Sequence, residues 1–192
     1  MLDIESIDVQ LLDGSPEQMH ELQRVLESAP NYAHAVTGLP FGAADAQSTY
    51  SALPEGKSYE DKFVFGILAA REMVGCADVI RGYPDAQSVL IGLLLIGEPL
   101  QRRGIGSAAF RRIEATAKHW GECRRIRVGV VRTNAAVLPF WHRLGFRETG
   151  ELKPYRYAGV QSETIVLQKP LGWCSRSAWA RASASTSSFI RS

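Results

Sequence analysis

Cysteine is scarce in this sequence, and long apolar runs are absent. The three cysteines, Cys76, Cys123 and Cys174, are widely spaced, with no CxxC pair and no accompanying histidine pair. Their spacing argues against both a disulfide framework and a zinc site. No apolar run approaches the roughly 18 residues that a membrane-spanning helix requires, and the first residues lack the pattern of a secretory signal. We therefore expect a cytoplasmic protein that binds neither metal nor membrane.

Neither of two common nucleotide-binding signatures is complete. The sequence has no Gly-Lys-Ser/Thr, which excludes a P-loop. Gly104-x-Gly106-x-x-Ala109 fits the glycine pattern of dinucleotide-binding folds, in which a strand directly precedes the first glycine and a later acid binds the ribose. Here seven residues, 97–103, intervene, and the next predicted strand ends in Arg132 rather than an acid. A dinucleotide-dependent enzyme is therefore disfavoured.

Acidic and basic side chains are unevenly distributed. Residues 1–61 contain eleven Asp or Glu and two Lys or Arg, whereas residues 101–127 contain eight Lys or Arg and two Asp or Glu. The net charge is only +2, and aromatic side chains are not interleaved with the arginines as nucleic-acid stacking would require. The basic cluster therefore favours a small ligand with several phosphates over nucleic acid.

Length and hydrophobic periodicity predict one globular domain of α/β (α+β) class. The chain has 192 residues, of which 45% are hydrophobic, enough for a sizeable core. Apolar alternation and β-branched runs predict seven strands, and helical spacing predicts four helices. The predicted strands are Ile4–Leu12, Lys62–Ala70, Met73–Ile80, Ser88–Ile96, Arg125–Arg132, Phe146–Thr149 and Glu163–Lys169. The predicted helices start at Pro16, Ala43, Gly104 and Asn134.

Local signals refine these boundaries. Ser15 and Pro16 form an N-cap and first-turn pair, and residues 31–41 are predicted to be a loop because they contain Gly and Pro. Asn134 is predicted to cap the last helix, and Gly145 to end it. From residue 171 onward, Ser, Ala and Arg dominate. We expect residues 1–170 to form the domain and 171–192 a poorly ordered tail, with docking onto a neighbouring subunit as the alternative.

The segment Gln101-Arg-Arg-Gly-Ile-Gly106 is the most informative part of the sequence. It follows a predicted strand and opens a predicted helix, whose first N–H groups have no partner within the helix and carry partial positive charge. Gly104 and Gly106 lack a Cβ, so phosphate oxygens can approach the backbone closely. The arrangement is typical of a pyrophosphate-binding loop.

Two segments together resemble the acyl-CoA signature of the GNAT N-acetyltransferase superfamily. Residues 101–106 match its Q/R-x-x-G-x-G/A loop, and residues 134–146 match its N-x-x-A-x-x-F-Y-x-x-x-G-F segment with two departures. The resemblance covers roughly residues 4–169. It implies a single-domain GNAT fold, with a mixed, mostly antiparallel, twisted sheet of about seven strands and about four helices.

The resemblance also implies how acetyl-CoA, the co-substrate, is bound. The pantetheine amides would pair with the backbone of Leu94 and Ile96, and Asn134 would contact the same arm. The pyrophosphate would lie against the backbone of the loop. The implied cofactor-binding residues are Leu94, Ile96, Gln101, Arg102, Arg103, Gly104, Ile105, Gly106, Ser107, Asn134, Phe140 and Trp141.

Several side chains are candidates for the catalytic groups. Trp141 lies at the position where relatives commonly have the Tyr that protonates the departing thiolate. An indole N–H can donate a hydrogen bond but cannot deliver a proton. The alternative is that Trp141 serves only in packing. The predicted strand 88–96 has no titratable side chain, although many relatives carry a Glu there. The candidate bases elsewhere are Asp78, Tyr83, Asp85, Tyr32 and His34.

We therefore expect an N-acetyltransferase that moves an acetyl group from acetyl-CoA to a primary amine by direct attack, since no Cys or Ser lies in a nucleophile motif. The acidic residues before position 62 favour a small cationic acceptor. The alternative is a catalytically weak module that binds acyl-CoA as a sensor or scaffold. The sequence leaves open the acceptor, the acyl-chain length and the choice between monomer and homodimer.

Overall fold

A seven-stranded sheet runs through the computed structural model, which describes residues 6–172. The strand order is β1-β2-β3-β4-β5-β7-β6, and every neighbouring pair is antiparallel except β4 and β5. The strands are β1 Asp8–Leu11, β2 Lys62–Ala69, β3 Glu72–Arg81, β4 Ser88–Ile96, β5 Arg125–Val131, β6 Arg147–Tyr157 and β7 Val160–Pro170. The helices are α1 Pro16–Glu27, α2 Pro30–Thr37, α3 Asp45–Ser51, α4 Ile105–Lys118 and α5 Leu138–Arg143.

Helices cover both faces of the sheet. On one face, α1 and α3 pack their apolar sides against β2, β3 and β4, with Leu22, Leu26, Cys76 and Leu95 in the interior. We call this the α1 face. On the other face, α4 and α5 cover the centre of the sheet, where Phe110 is fully buried. This layered arrangement is the predicted GNAT fold.

Most predicted elements are confirmed, but residues 31–41 are not simply a loop. Pro30 starts α2, and Gly38 ends it in the left-handed conformation, with φ 75°. The prediction of a loop was wrong because a proline in the first turn and a glycine just after the last turn are also the residues that delimit a short helix. β6 and β7 are also longer than predicted, since their exposed hairpin has little apolar alternation.

Asn134 is not the N-cap of the last helix. Residues Arg132–Val137 form a 3₁₀ segment in which Asn134 has non-helical backbone angles, and α5 begins four residues later at Leu138. Pro139 lies in the first turn of α5, where its missing N–H costs nothing, and so sets the helix start. Gly145 follows α5 with φ 93°, as predicted.

Three further predictions concern the tail, membrane spans and metal sites. The tail beyond residue 172 lies outside the described residues. Within residues 6–172, no helix is long and apolar enough to cross a membrane, and no cluster of three His, Cys, Asp or Glu side chains could hold a metal ion. Cys76 and Cys123 are free and buried.

Candidate functional site

The two parallel strands at the centre of the sheet separate part-way along their length. β4 and β5 pair only over Ser88–Ile91 and Arg125–Val128, although β4 continues to Ile96 and β5 to Val131. The residues that follow the last pair are Gly92 and Gly129, and both are exposed despite lying in central strands. The separation therefore leaves an opening between β4 and β5.

The glycine loop lies at the end of this opening. Arg102 and Gly104 both have left-handed backbone conformations, with φ 63° and 84°, and Gly104 is the N-cap of the 14-residue α4. Residues 101–104 are exposed. The Gln101 side-chain amide donates to the carbonyl of Ile96 at 2.8 Å and so ties the loop to β4. The first N–H groups of α4 are thus presented to solvent in a left-handed turn, a geometry that binds anions.

Most of the residues predicted to bind CoA lie along one edge of the opening. A Cβ on Gly106 would lie 3.5 Å from the Phe140 ring and 3.6 Å from the Ile96 side chain, so these residues are neighbours. The Ile105 side chain is buried in the core, which leaves only its backbone available. Asn134 is half-buried and follows β5, the strand on the other side of the opening from β4. The structure thus places both halves of the predicted cofactor site around one opening.

Trp141 lies in an aromatic cluster beneath the sheet. Its side chain is buried, with ring centroids 5.1 Å from Phe140, 5.1 Å from Phe146 and 6.2 Å from Phe110, all close to perpendicular. Edge-to-face contacts of this kind stabilise a core. The geometry favours the packing role over a catalytic one.

Two of the predicted base candidates lie at the wrong end of β4. The Tyr83 N–H donates to the Ser88 carbonyl at the start of that strand, and Asp85 pairs with Arg125 at 2.8 Å. Eight residues separate Ser88 from Ile96, about 26 Å at the rise of an extended strand. Tyr83 and Asp85 therefore lie at the end of β4 opposite the glycine loop, on the paired side of the opening.

Asp78 is the candidate base that the structure places at the opening. Its β3 position pairs with Leu93, and it lies on the α1 face because its other cross-strand partner, Val64, packs there. The Lys62 ammonium lies 2.7 Å from its carboxylate. Burial raises the pKa of Asp78 above its usual value, while the Lys62 charge and hydrogen bond lower it in part.

Gly92 makes the Asp78 carboxylate accessible. β4 has a bulge at this point, because Asp78 pairs with Leu93 while Val79 pairs with Ile91. A Cβ on Gly92 would lie 3.2 Å from Oδ2 of Asp78, tighter than most such contacts. The carboxylate therefore occupies the space that a side chain on β4 would otherwise fill. Sequence reasoning missed both Gly92 and Lys62, because only the strand register reveals their relation to Asp78.

Helix α2 lies across the opening and is fixed at both ends. At its N-terminus, the Glu98 carboxylate accepts hydrogen bonds from the Asn31 backbone N–H at 2.6 Å and from its side-chain amide at 2.8 Å. At its C-terminus, three carbonyls that lack helical partners accept bonds from outside the helix. The donors are Thr133 to Ala35, Tyr155 to Val36 and the Gly159 N–H to Thr37.

These anchors come from both sides of the opening. Glu98 follows β4 and lies three residues before Gln101 of the glycine loop, whereas Thr133 follows β5 and Tyr155 lies on β6. The helix therefore forms a roof over the α1 face of the separated strands. Sequence analysis missed this roof because it predicted a loop there.

The model of the GNAT acetyltransferase family matches residues 30–146, which include α2, the opening, the glycine loop and α5. The chain belongs to the GNAT acetyltransferase family. This GNAT protein is an acyl-CoA-dependent N-acyltransferase, with acetyl-CoA as its co-substrate. A search of curated proteins found no match.

Solved structures agree with this membership. An acetyltransferase from Thermus thermophilus is 26% identical with a TM-score of 0.68, over 89% of this chain and all of the other. A GNAT acetyltransferase from Elizabethkingia anophelis with acetyl-CoA bound is 15% identical, TM-score 0.59, covering 87% of this chain and 99% of that one. Spermidine N-acetyltransferase from Vibrio cholerae, in complex with CoA and spermine, is 12% identical with a TM-score of 0.67. The match covers 87% of this chain and 96% of that one. The last two show a shared fold.

Proposed function

We propose that this protein transfers the acetyl group of acetyl-CoA to a primary amine within the opening between β4 and β5. The observation that carries the proposal is the position of the glycine loop: the exposed N-terminus of α4 lies beside the end of β4, where the central strands have separated. A pyrophosphate on this N-terminus and an extended arm along β4 would bring the thioester to the roofed part of the opening.

The residues present fit acetyl-CoA. The backbone N–H groups of residues 102–107 would hold the pyrophosphate, and the exposed Arg102 and Arg103 add positive charge. The backbone of Leu94 and Ile96 would pair with the pantetheine amides, and Asn134 would contact the arm from the β5 side. The Ile96 carbonyl can still accept a hydrogen bond from a pantetheine amide, since a carbonyl oxygen has two lone pairs and the Gln101 amide uses only one.

Asp78 is the proposed base. The amine nitrogen attacks the thioester carbon, the C–N bond forms as the C–S bond breaks, and the proton lost from nitrogen passes to the Asp78 carboxylate directly or through water. The Lys62 ammonium lies 2.7 Å from this buried carboxylate, orients it and favours its ionised form. Holding amine and thioester together under α2 supplies a further part of the rate.

A small cationic amine is the proposed acceptor. The support is the excess of acidic residues within 1–61. Several of these acidic side chains are exposed on the helices of the α1 face, including Glu17 and Glu27. Glu60 and Asp61 contribute less, because Asp61 pairs with Arg81 and Lys57 and both lie at the far end of the sheet. Screening by salt tests the proposal: kcat/KM for polyamines should fall as ionic strength rises, while that for amines that also carry an acidic group should not fall.

The binding module remains the second candidate, and one observation favours it. The Asp78 carboxylate is already bonded to a buried ammonium, which partly offsets the rise in its pKa that burial causes and occupies one of its oxygens. One assay distinguishes the two candidate functions. It measures the release of CoA from acetyl-CoA in the presence of a panel of primary amines. Amine-dependent release supports the transferase, and tight acetyl-CoA binding without release supports the sensor.

A further inference from the structure

A cleft of about 370 Å³ lies at the end of the domain opposite the glycine loop. Its lining includes Gly82, which follows β3, and Gly121, which lies shortly after α4. The 14 residues of α4 span about 21 Å at the rise of an α-helix, and they separate the cleft from Gly104. The cleft is therefore distinct from the proposed acetyl-CoA site, and its volume is within the range of sites that bind small molecules.

Trp120 forms an aromatic wall of the cleft. Its ring packs against Phe63, with centroids 4.6 Å apart and an angle of 31° between the planes. The side chain is half-buried, and its indole N–H has no hydrogen-bond partner within residues 6–172. Because every fully buried side-chain nitrogen of those residues has a partner, this N–H is accessible to solvent. Phe63 thus holds the indole in place while part of the ring and its donor stay open to a ligand.

Lys57, Arg81 and Asp61 form a charged wall in which two cations share one carboxylate. Nζ of Lys57 lies 3.1 Å and Nη2 of Arg81 lies 3.2 Å from the Asp61 oxygens. An ammonium has three N–H donors, and Lys57 gives one of them to Asp61. Arg81 uses Nε and Nη2, so that its Nη1 has no partner within residues 6–172. One positive charge and several N–H donors are therefore left over for a ligand.

The two walls meet at Phe63. The Arg81 guanidinium lies 5.6 Å from the centroid of the ring against which Trp120 packs. Gly82 brings the other cation to the same place, because a Cβ on this glycine would lie only 2.9 Å from Nζ of Lys57. The cleft therefore combines an aromatic surface with convergent cationic donors.

Gly121 leaves one side of the cleft open. A Cβ on this residue would meet no atom within 4 Å, and its φ lies outside the left-handed region. Gly121 and the adjacent Glu122 are both exposed. The Glu122 carboxylate repels anions, and most strongly those with several negative charges. The open side therefore admits a small ligand of low charge.

We propose that this cleft is a second ligand site, which binds a small aromatic carboxylate. The carboxylate accepts charge-assisted hydrogen bonds from Lys57 and Arg81, and the ring packs against Trp120. The one positive charge left over from the ion pairs with Asp61 matches a monoanion rather than a polyphosphate. The site is separate from the opening between β4 and β5, so the inference does not depend on the proposed acetyl transfer.

The test is an NMR titration of the full chain with benzoate, read at the indole N–H resonance of Trp120, which Trp120→Phe assigns. Benzyl alcohol keeps the ring without the charge, and acetate keeps the charge without the ring. Benzoate should shift the resonance saturably, and each of the other two should bind at least about tenfold more weakly, the loss of a charge-assisted bond or of the ring contact.

Two variants and a control locate the benzoate. Gly121→Leu fills the open side and Arg81→Gln removes the guanidinium, and each should weaken benzoate binding about tenfold or more. Gly42→Leu is the matched control, because Gly42 is exposed and a Cβ there would meet no atom closer than 3.7 Å. It should leave the affinity for benzoate as in wild type.

Several results would overturn the second site. They are the absence of a saturable shift, equally tight binding of benzyl alcohol and benzoate, and an unchanged benzoate affinity in both Gly121→Leu and Arg81→Gln. Competition between CoA and benzoate would place the benzoate in the opening between β4 and β5, which also overturns the assignment. None of these results affects the proposed acetyl transfer, which the panel of amines measures separately.

Discussion

Gly92 lies directly beneath the Asp78 carboxylate, so that a Cβ on the glycine would come within 3.2 Å of Oδ2. Two neighbouring strands thus share one site: β4 supplies the space and β3 supplies the carboxyl group. The pair lies where β4 and β5 separate. In the proposed mechanism β4 needs no titratable side chain of its own, because the neighbouring β3 supplies the base.

Replacing Asp78 by Asn should reduce kcat/KM by about a hundredfold, because an amide cannot accept the proton of the amine. Acetyl-CoA affinity should be unchanged, since the carboxylate lies away from the glycine loop. The pH profile is the decisive readout: the acidic limb of kcat/KM should vanish in the variant. A profile that kept this limb would show that another group is the base.

Replacing Lys62 by Met should shift the acidic limb to higher pH. The Lys62 charge lowers the pKa of Asp78, so its removal raises that pKa further, and the base is then protonated over a wider acidic range. The comparison requires folded protein, because an unpaired buried carboxylate is destabilising. The double variant Lys62→Met, Asp78→Asn removes both charges and serves as the stability control. A limb that stayed in place or moved to lower pH would contradict the prediction.

Acetyl-CoA should raise the melting temperature of the wild type, and Gly104→Asp should abolish this effect by placing a negative charge at the pyrophosphate position. At a hundredfold excess over Kd, binding contributes about 2.7 kcal/mol, on the order of 5–10 °C. Gly56→Asp is the matched control, because Gly56 has φ 79° and open surroundings, similar to the φ of 84° at Gly104. Equal stabilisation of both variants would show that the loop does not hold the phosphates.

Trp141→Phe should lower the free energy of unfolding and have only a small effect on turnover. The indole fills space among Phe110, Phe140 and Phe146, and the smaller ring leaves a gap that costs about 1–3 kcal/mol. Turnover should fall about tenfold or less, which corresponds to about 1.4 kcal/mol. Urea denaturation and initial rates check the two parts. A loss of turnover above about a thousandfold in folded protein would assign the indole to catalysis.

Glu98→Ala should weaken acceptor binding through α2. The carboxylate caps the first turn of the roof, and loss of a helix cap costs about 1–2 kcal/mol. Acceptor KM should rise about tenfold, while the acetyl-CoA Kd changes little. Glu163→Ala, which breaks an exposed ion pair with Arg132, should leave both constants unchanged. A larger effect on acetyl-CoA than on the acceptor would mean that Glu98 serves the glycine loop instead.

The strands and the glycine loop could be predicted because their signals are local. Apolar runs define β2 to β4, and Gly104 marks the start of α4 by its position after a strand. The roof could not be predicted, because α2 has only eight residues and depends on Glu98, which is far away in sequence. The relation between Asp78 and Gly92 depends on strand register and a bulge, which hydrophobic periodicity does not specify.

The most direct test of the account is detection of an acetylated amine. Wild-type protein, acetyl-CoA and a panel of primary amines that includes polyamines would be analysed by mass spectrometry together with CoA release. The account predicts one acetylated amine for each CoA released, loss of both products in Gly104→Asp, and retention of both in Gly56→Asp. Saturable binding of acetyl-CoA with no acetylated product from any amine would contradict the proposed function and favour an acyl-CoA-binding module.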